Sequence, residues 1–118
     1  MDGGHNPQGA EVLANSLKRY FGGMRIHLVM GVLKDKDYKK MIPILAPLAT
    51  KISTVTPSSP RALTAEELAD EIKSQGYQAE PYDLVPLAVQ QALGDFYGEI
   101  IVLTGSLSLF KDLGVKYL

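Results

Sequence analysis

RIHLVMGVL, Arg25 to Leu33, is the stretch on which the fold turns. It is aliphatic and β-branched almost without a break, has the length of a strand and carries a glycine near its end. A strand with one solvated face alternates apolar and polar residues, whereas a continuous apolar run needs cover on both faces, as in a parallel sheet. EIIVLTG (Glu99 to Gly105) has the same character, KISTVT (Lys51 to Thr56) is a further strand, and YQAEPYD (Tyr77 to Asp83) is read as a short one.

Helical patterns lie between these runs. From Pro7 to Phe21 the residues Val12, Leu13, Leu17, Tyr20 and Phe21 share one predicted face, with Asn15, Lys18 and Arg19 opposite. Pro7 suits a first turn and Gly22-Gly23 an end. A second helix is predicted from Lys36 or Asp37, although Pro43 interrupts its middle. Thr64 and Glu67 have capping-box spacing and open a third, running to about Gln75 and closed by Gly76, with Leu68, Ala69 and Ile72 inward. LVPLAVQQALGDF (Leu84 to Phe96) is another amphipathic run, and the tail SLSLFKDLGVKYL (Ser106 to Leu118) reads equally as helix or strand. This alternation predicts an α/β fold with a largely parallel sheet and right-handed crossovers. Ligands of such sheets bind beyond the carboxyl ends of the strands. Those junctions are Gly31 to Asp37, Thr56 to Arg61, Tyr82-Asp83 and Thr104 to Ser106; Asp2 to Asn6 looks like a fifth without its strand.

At 118 residues the chain fits a single domain, taken as residues 1–118. A net charge of -1 supplies no basic stripe, which argues against a nucleic-acid partner. No apolar run approaches the roughly 18 residues of a membrane span, and no secretory signal is visible, so the expected compartment is the cytoplasm. The lack of cysteine excludes disulfides, thiolate zinc sites and a thiol nucleophile; histidine at positions 5 and 27 alone argues against a histidine-rich metal centre.

Four stretches carry a resemblance. DGGHNPQGAE (Asp2 to Glu11), GVLKDKDY (Gly31 to Tyr38), TPSSPRAL (Thr56 to Leu63) and VLTGSL (Val102 to Leu107) occur in this order along nearly the whole chain. The first resembles the Asp-Gly-Ala-His-Asn-Pro motif of the carboxy-terminal domain of folylpolyglutamate and dihydrofolate synthases, in the Mur ligase superfamily, and the others follow with family-like spacing. The resemblance implies a Rossmann-like, largely parallel sheet with helices on both faces. It also implies a role in an ATP-dependent ligase that joins L-glutamate to a folate or dihydropteroate carboxylate through an acyl phosphate. ATP and Mg would be held mainly by a larger amino-terminal ligase domain. No G-x-x-x-x-G-K-[ST] sequence occurs in these residues, so the isolated chain is expected to be inactive. The alternative is a stand-alone binding or interaction module that keeps the fold without the catalysis.

Site residues follow from the same resemblance. Asp2 matches an acidic residue that contacts ATP, His5 a histidine facing ATP and glutamate, and Asn6 either joins that ATP-binding loop or caps the first helix. Gly4 stands where most relatives have alanine. Ser106 matches a serine on the glutamate side of the cleft, and is equally a turn residue. Arg61 has two readings, a carboxylate or phosphate contact in the glutamate cleft and a salt bridge inside the domain. Asp35 and Asp37 are read as caps of the second helix, and His27 as structural. After Leu107 the resemblance decays. A family strand would precede Asp2, so self-association through the gap, its filling by the tail, or marginal stability is expected.

Overall fold

The computed structural model describes residues 7–82, 87, 88, 90 and 100–105. Asp2, His5, Asn6, Ser106 and the tail lie outside the described residues. The apolar run from Arg25 to Leu33 forms β1 (Ile26–Gly31), buried at every position. Its neighbours are β2 (Lys51–Val55) and β4 (Ile100–Gly105), and β3 (Glu80–Tyr82) lies beyond β2. The order is β3-β2-β1-β4 and every pairing is parallel.

α1 (Pro7–Phe21) precedes β1, α2 (Tyr38–Leu45) runs between β1 and β2, and α3 (Ala65–Ser74) between β2 and β3. Successive strand residues point to opposite faces. Leu28 and Met30 of β1 and Ile52 of β2 join one core with Ala10 and Ala14 of α1, Met41, Ile42 and Leu45 of α2, and Leu68, Ala69 and Ile72 of α3. His27, Val29, Ser53 and Val55 take the other face and are equally inaccessible. β4 follows β3 in the chain yet pairs with β1 on the side away from β2. Ala88 is helical and fully buried. On the second face His27 bonds through Nε2 to Ser53 Oγ at 2.7 Å, which fits its structural reading.

Two expectations about the helices need correction. The inward stripe of α1 is Gly9, Ala10, Ala14 and Leu17, with Leu13 partly packed, while Val12 and Tyr20 remain 61% and 68% exposed. Small residues let α1 approach α2 closely, so the face with the smallest side chains wins over the one with the largest. Tyr20 instead has the Arg19 guanidinium 5.6 Å from its ring centroid. Asp37 does occupy the N-cap position of α2 but makes no side-chain capping bond. Asp35 turns to another partner altogether, Arg61.

α3 behaves as its sequence requires. Thr64 Oγ1 accepts from Glu67 N–H at 3.1 Å and Glu67 Oε1 accepts from Thr64 N–H at 3.1 Å, completing the capping box. β2 clamps the same turn: Thr54 Oγ1 donates to Ala65 O at 2.7 Å, and Thr56 Oγ1 accepts from Ala65 N–H at 2.8 Å. At the other end Gly76 takes φ +96°, where a side chain would be strained. Gly76 N–H then bonds Lys73 O and Tyr77 N–H bonds Ile72 O, the paired closure of a left-handed helix end.

Pro43 lies inside α2 and has no N–H to offer the carbonyl of Lys39. Gln75, at the end of α3, supplies the donor: its Nε2 reaches Lys39 O at 3.0 Å, and also Glu71 Oε2 at 3.0 Å. One side chain thus repairs a neighbouring helix and ties the ends of α2 and α3 together. Gln75→Ala is expected to cost about 1 kcal/mol, and appreciably less in a Pro43→Ala background, where the restored N–H serves Lys39 O. Urea unfolding of the four combinations checks this; an equal cost in both backgrounds contradicts it.

Candidate functional site at the carboxyl edge of the sheet

Because every strand is parallel, all their carboxyl ends share one edge. β4 ends level with β1, Gly105 opposite Gly31. The start of α1 belongs to the same edge. Its last turn meets the beginning of β1 at the opposite side, where Leu17, Phe21, Met24, Ile26 and Leu48 line a cavity of about 190 Å³. The described parts of the four stretches singled out in the sequence therefore converge: the first turn of α1, the loop after β1, the loop after β2 and the end of β4.

The two central loops are fastened to each other. Leu33 and Ala62 form an isolated antiparallel bridge, Lys34 N–H donates to Arg61 O at 2.8 Å, and Leu63 N–H donates to Val32 O at 3.0 Å. Side chains continue the seam, with Arg61 Nη1 2.7 Å from Asp35 Oδ2. Arg61 is 63% exposed and Asp35 51%, so the pair sits on the rim rather than in the core. Of the two readings of Arg61, the salt bridge inside the domain is the one this geometry shows, and the arginine side chain stays largely exposed while making it.

Glu67 sits at the same rim. Hydrogen bonds from Thr64, main chain first and side chain next, hold its carboxyl below its ordinary pKa, with the nearby Lys34 charge adding to the shift. At the start of α3 the N–H groups of Ala65 and Glu67 already have acceptors within the chain, Thr56 Oγ1 and Thr64 Oγ1. Among the described residues no three carboxylate or imidazole groups converge as metal ligands. A groove of about 450 Å³ runs between α1 and α2, lined by Glu11, Lys18, Pro43 and Leu48 among others, on the helix flanks and away from the strand ends. Asp2, His5, Asn6 and Ser106 lie outside the described residues, though Pro7 and Gly105, their chain neighbours, both belong to the carboxyl edge. Sequence reasoning missed Asp35 as the partner of Arg61 because the two are 26 residues apart and meet only once β1 and β2 are neighbours.

Residues 1–107 match the family described as Mur ligase, glutamate ligase domain. The chain belongs to that family. A dihydrofolate synthase/folylpolyglutamate synthase of Bacillus subtilis is 36% identical over 115 residues, covering 96% of this chain and 26% of the relative. The folylpolyglutamate synthase of Mycobacterium tuberculosis, solved with ADP, superposes with a TM-score of 0.81 at 27% identity, over 92% of this chain and 27% of its own. The bifunctional synthase of Yersinia pestis, solved with AMPPNP and Mn, gives a TM-score of 0.78 at 25% identity, over 95% and 26%. The chain spans about a quarter of the length of the curated relatives it matches. The Rossmann-like parallel sheet expected of a Mur ligase glutamate ligase domain is thus present, and the resemblance read from four short stretches holds.

The lowered pKa of Glu67 gives a signed expectation for this Mur ligase domain. A carboxylate whose folded pKa lies below its unfolded value stabilises the fold above the unfolded pKa, and loses that contribution as pH falls through the folded one. Wild type should therefore exceed Glu67→Gln in stability near neutrality, with the difference closing once the pH drops below the ordinary carboxylate range. Thermal melts of both proteins across an acid titration check it; a gap that widens toward low pH contradicts it.

Proposed function

We propose that residues 1–118 form the carboxy-terminal domain of a longer ATP-dependent ligase that adds L-glutamate to folate or dihydropteroate. In that reaction the γ-phosphoryl group of ATP passes to a folate carboxylate and ADP leaves. The amino group of glutamate attacks the acyl phosphate, loses a proton, and expels phosphate as the amide forms. The observation that carries this reading is the convergence of the described parts of the four family-like stretches on one carboxyl edge. The ADP- and AMPPNP-bound synthases that share this fold support it.

Within this reading the chain positions reactants instead of supplying a nucleophile. Asp2 accepts hydrogen bonds from ribose hydroxyls, and His5, ahead of the first turn of α1, donates toward phosphate or glutamate. Asn6 holds the start of α1 or joins the ATP contact. Arg61 and Ser106 face glutamate, Arg61 with a guanidinium suited to a carboxylate. Mg and the triphosphate would be held by the larger amino-terminal domain, and the enzyme would work in the cytoplasm. Among the described residues no helix is long and apolar enough to cross a membrane. A second reading, a stand-alone binding module without catalysis, draws on the tail, since the family match stops at residue 107.

The complete ligase should form ADP and phosphate in step with glutamate addition to dihydropteroate or a folate, whereas the 118-residue chain by itself should not. In the complete ligase Asp2→Ala and His5→Ala should each raise the barrier on the order of 2–4 kcal/mol, as losses of contacts strongest in the transition state, with little change in melting temperature. Steady-state kinetics and thermal melts on the same samples check this. Normal turnover in both variants, or ligation by the isolated chain, contradicts the proposal.

A further inference from the structure

Arg61 and Asp35 form an ion pair whose exposure poses a question of purpose. Pairs this open to solvent contribute little to stability, because water screens the charges and both side chains lose rotamer freedom. The loops do not need it either. Their main-chain seam, Lys34 N–H to Arg61 O and Leu63 N–H to Val32 O, already holds them together around the buried Val32, Ala62 and Leu63.

The geometry of the contact is specific. Asp35 Oδ2 engages Nη1, the one ion-pair contact of Arg61 among the described residues. An arginine held at Nη1 keeps its Nε and Nη2 donors on a shared edge, the edge that grips a carboxylate with two parallel bonds. Without a tether, a rim arginine spreads over many rotamers and must be ordered anew at each binding event. Tethered, it meets an incoming carboxylate in a fixed orientation.

We infer that Asp35 is a positioning residue for Arg61, holding its guanidinium in the orientation that receives a carboxylate of the amino-acid substrate. This rests on the ligase reading above and adds to it a residue that touches no reactant. Asp35 acts through one hydrogen bond, across the junction of two loops that follow adjacent strands. Its effect falls on the amino acid and leaves nucleotide affinity alone.

The test uses the complete ligase and the variants Asp35→Asn, Asp35→Glu and Arg61→Lys, each measured for KM of glutamate, kcat, nucleotide Kd and melting temperature. Asp35→Asn should raise KM for glutamate roughly three- to fivefold, the most an ion pair this exposed can contribute to pre-orientation, with nucleotide Kd and melting temperature near wild type. Arg61→Lys should show at least as large a rise, because an ammonium has no two-donor edge. Asp35→Glu, which keeps the charge, should recover part of the loss. The inference is overturned if Asp35→Asn leaves KM for glutamate unchanged in an active enzyme. It is equally overturned if nucleotide Kd or melting temperature moves in proportion to KM, the signature of a structural role. A wild-type ligase without glutamate-dependent turnover would defeat the ligase reading itself and this inference with it, a result distinct from an active enzyme indifferent to Asp35.

Discussion

The parallel pairing of β1 between β2 and β4 is the constraint from which the rest of this domain follows. A central strand buried on both faces can satisfy its N–H and C=O groups only through its neighbours, since no water reaches it. Its side chains must then find two covers. Leu28 and Met30 find theirs in the α1, α2 and α3 packing, while His27 and Val29 require the opposite face to be closed as well. Parallel pairing also requires long crossovers, which become the helices. One pattern of hydrogen bonds therefore fixes the layers, and it also collects every carboxyl end on a single edge.

That edge is stiff where its partners are local and where β2 reaches into it. Thr54 and Thr56 grip both the carbonyl and the N–H of Ala65, so the start of α3 cannot drift from the end of β2. The loop after β1 then inherits the position of the loop after β2 through the Leu33 and Ala62 bridge. A rim made this way carries polar groups without burying them. Arg61 and Asp35 keep their charges in water at little cost, and the buried polar groups Ser53, His27 and Thr54 take part in short hydrogen bonds inside the sheet and against α3.

Features governed by neighbours in sequence were legible before the structure. The apolar runs at Arg25 to Leu33 and Glu99 to Gly105 became β1 and β4, and the capping signals at Thr64, Glu67 and Gly76 fell where expected, because each depends on residues within one turn. What was not legible depends on contacts across the chain. Strand order has no local signal, so the meeting of Asp35 with Arg61 could not be read, and Asp35 looked like a helix cap. The inward face of α1 was misjudged because side-chain hydrophobicity favours Val12 and Tyr20, whereas close helix contact favours Ala10 and Ala14. The donor that completes α2, Gln75, caps the end of α3, 36 residues from the Lys39 carbonyl it serves, and nothing near Pro43 announces it. At the site the motif residues Asp2, His5, Asn6 and Ser106 were read from resemblance and lie outside the described residues; the architecture that would present them, the start of α1 and the end of β4, is in place.

The central claim is that this carboxyl edge is the face the domain turns toward its ligands. Amide hydrogen exchange on the complete ligase, compared with and without a non-hydrolysable ATP analogue plus glutamate, tests it most directly. Slower exchange confined to residues 2–8, 32–37, 56–64 and 104–107 is the result the account predicts. New protection at the opposite edge, in residues 22–25, 49–51 and 76–79, with the carboxyl edge unchanged, would contradict it.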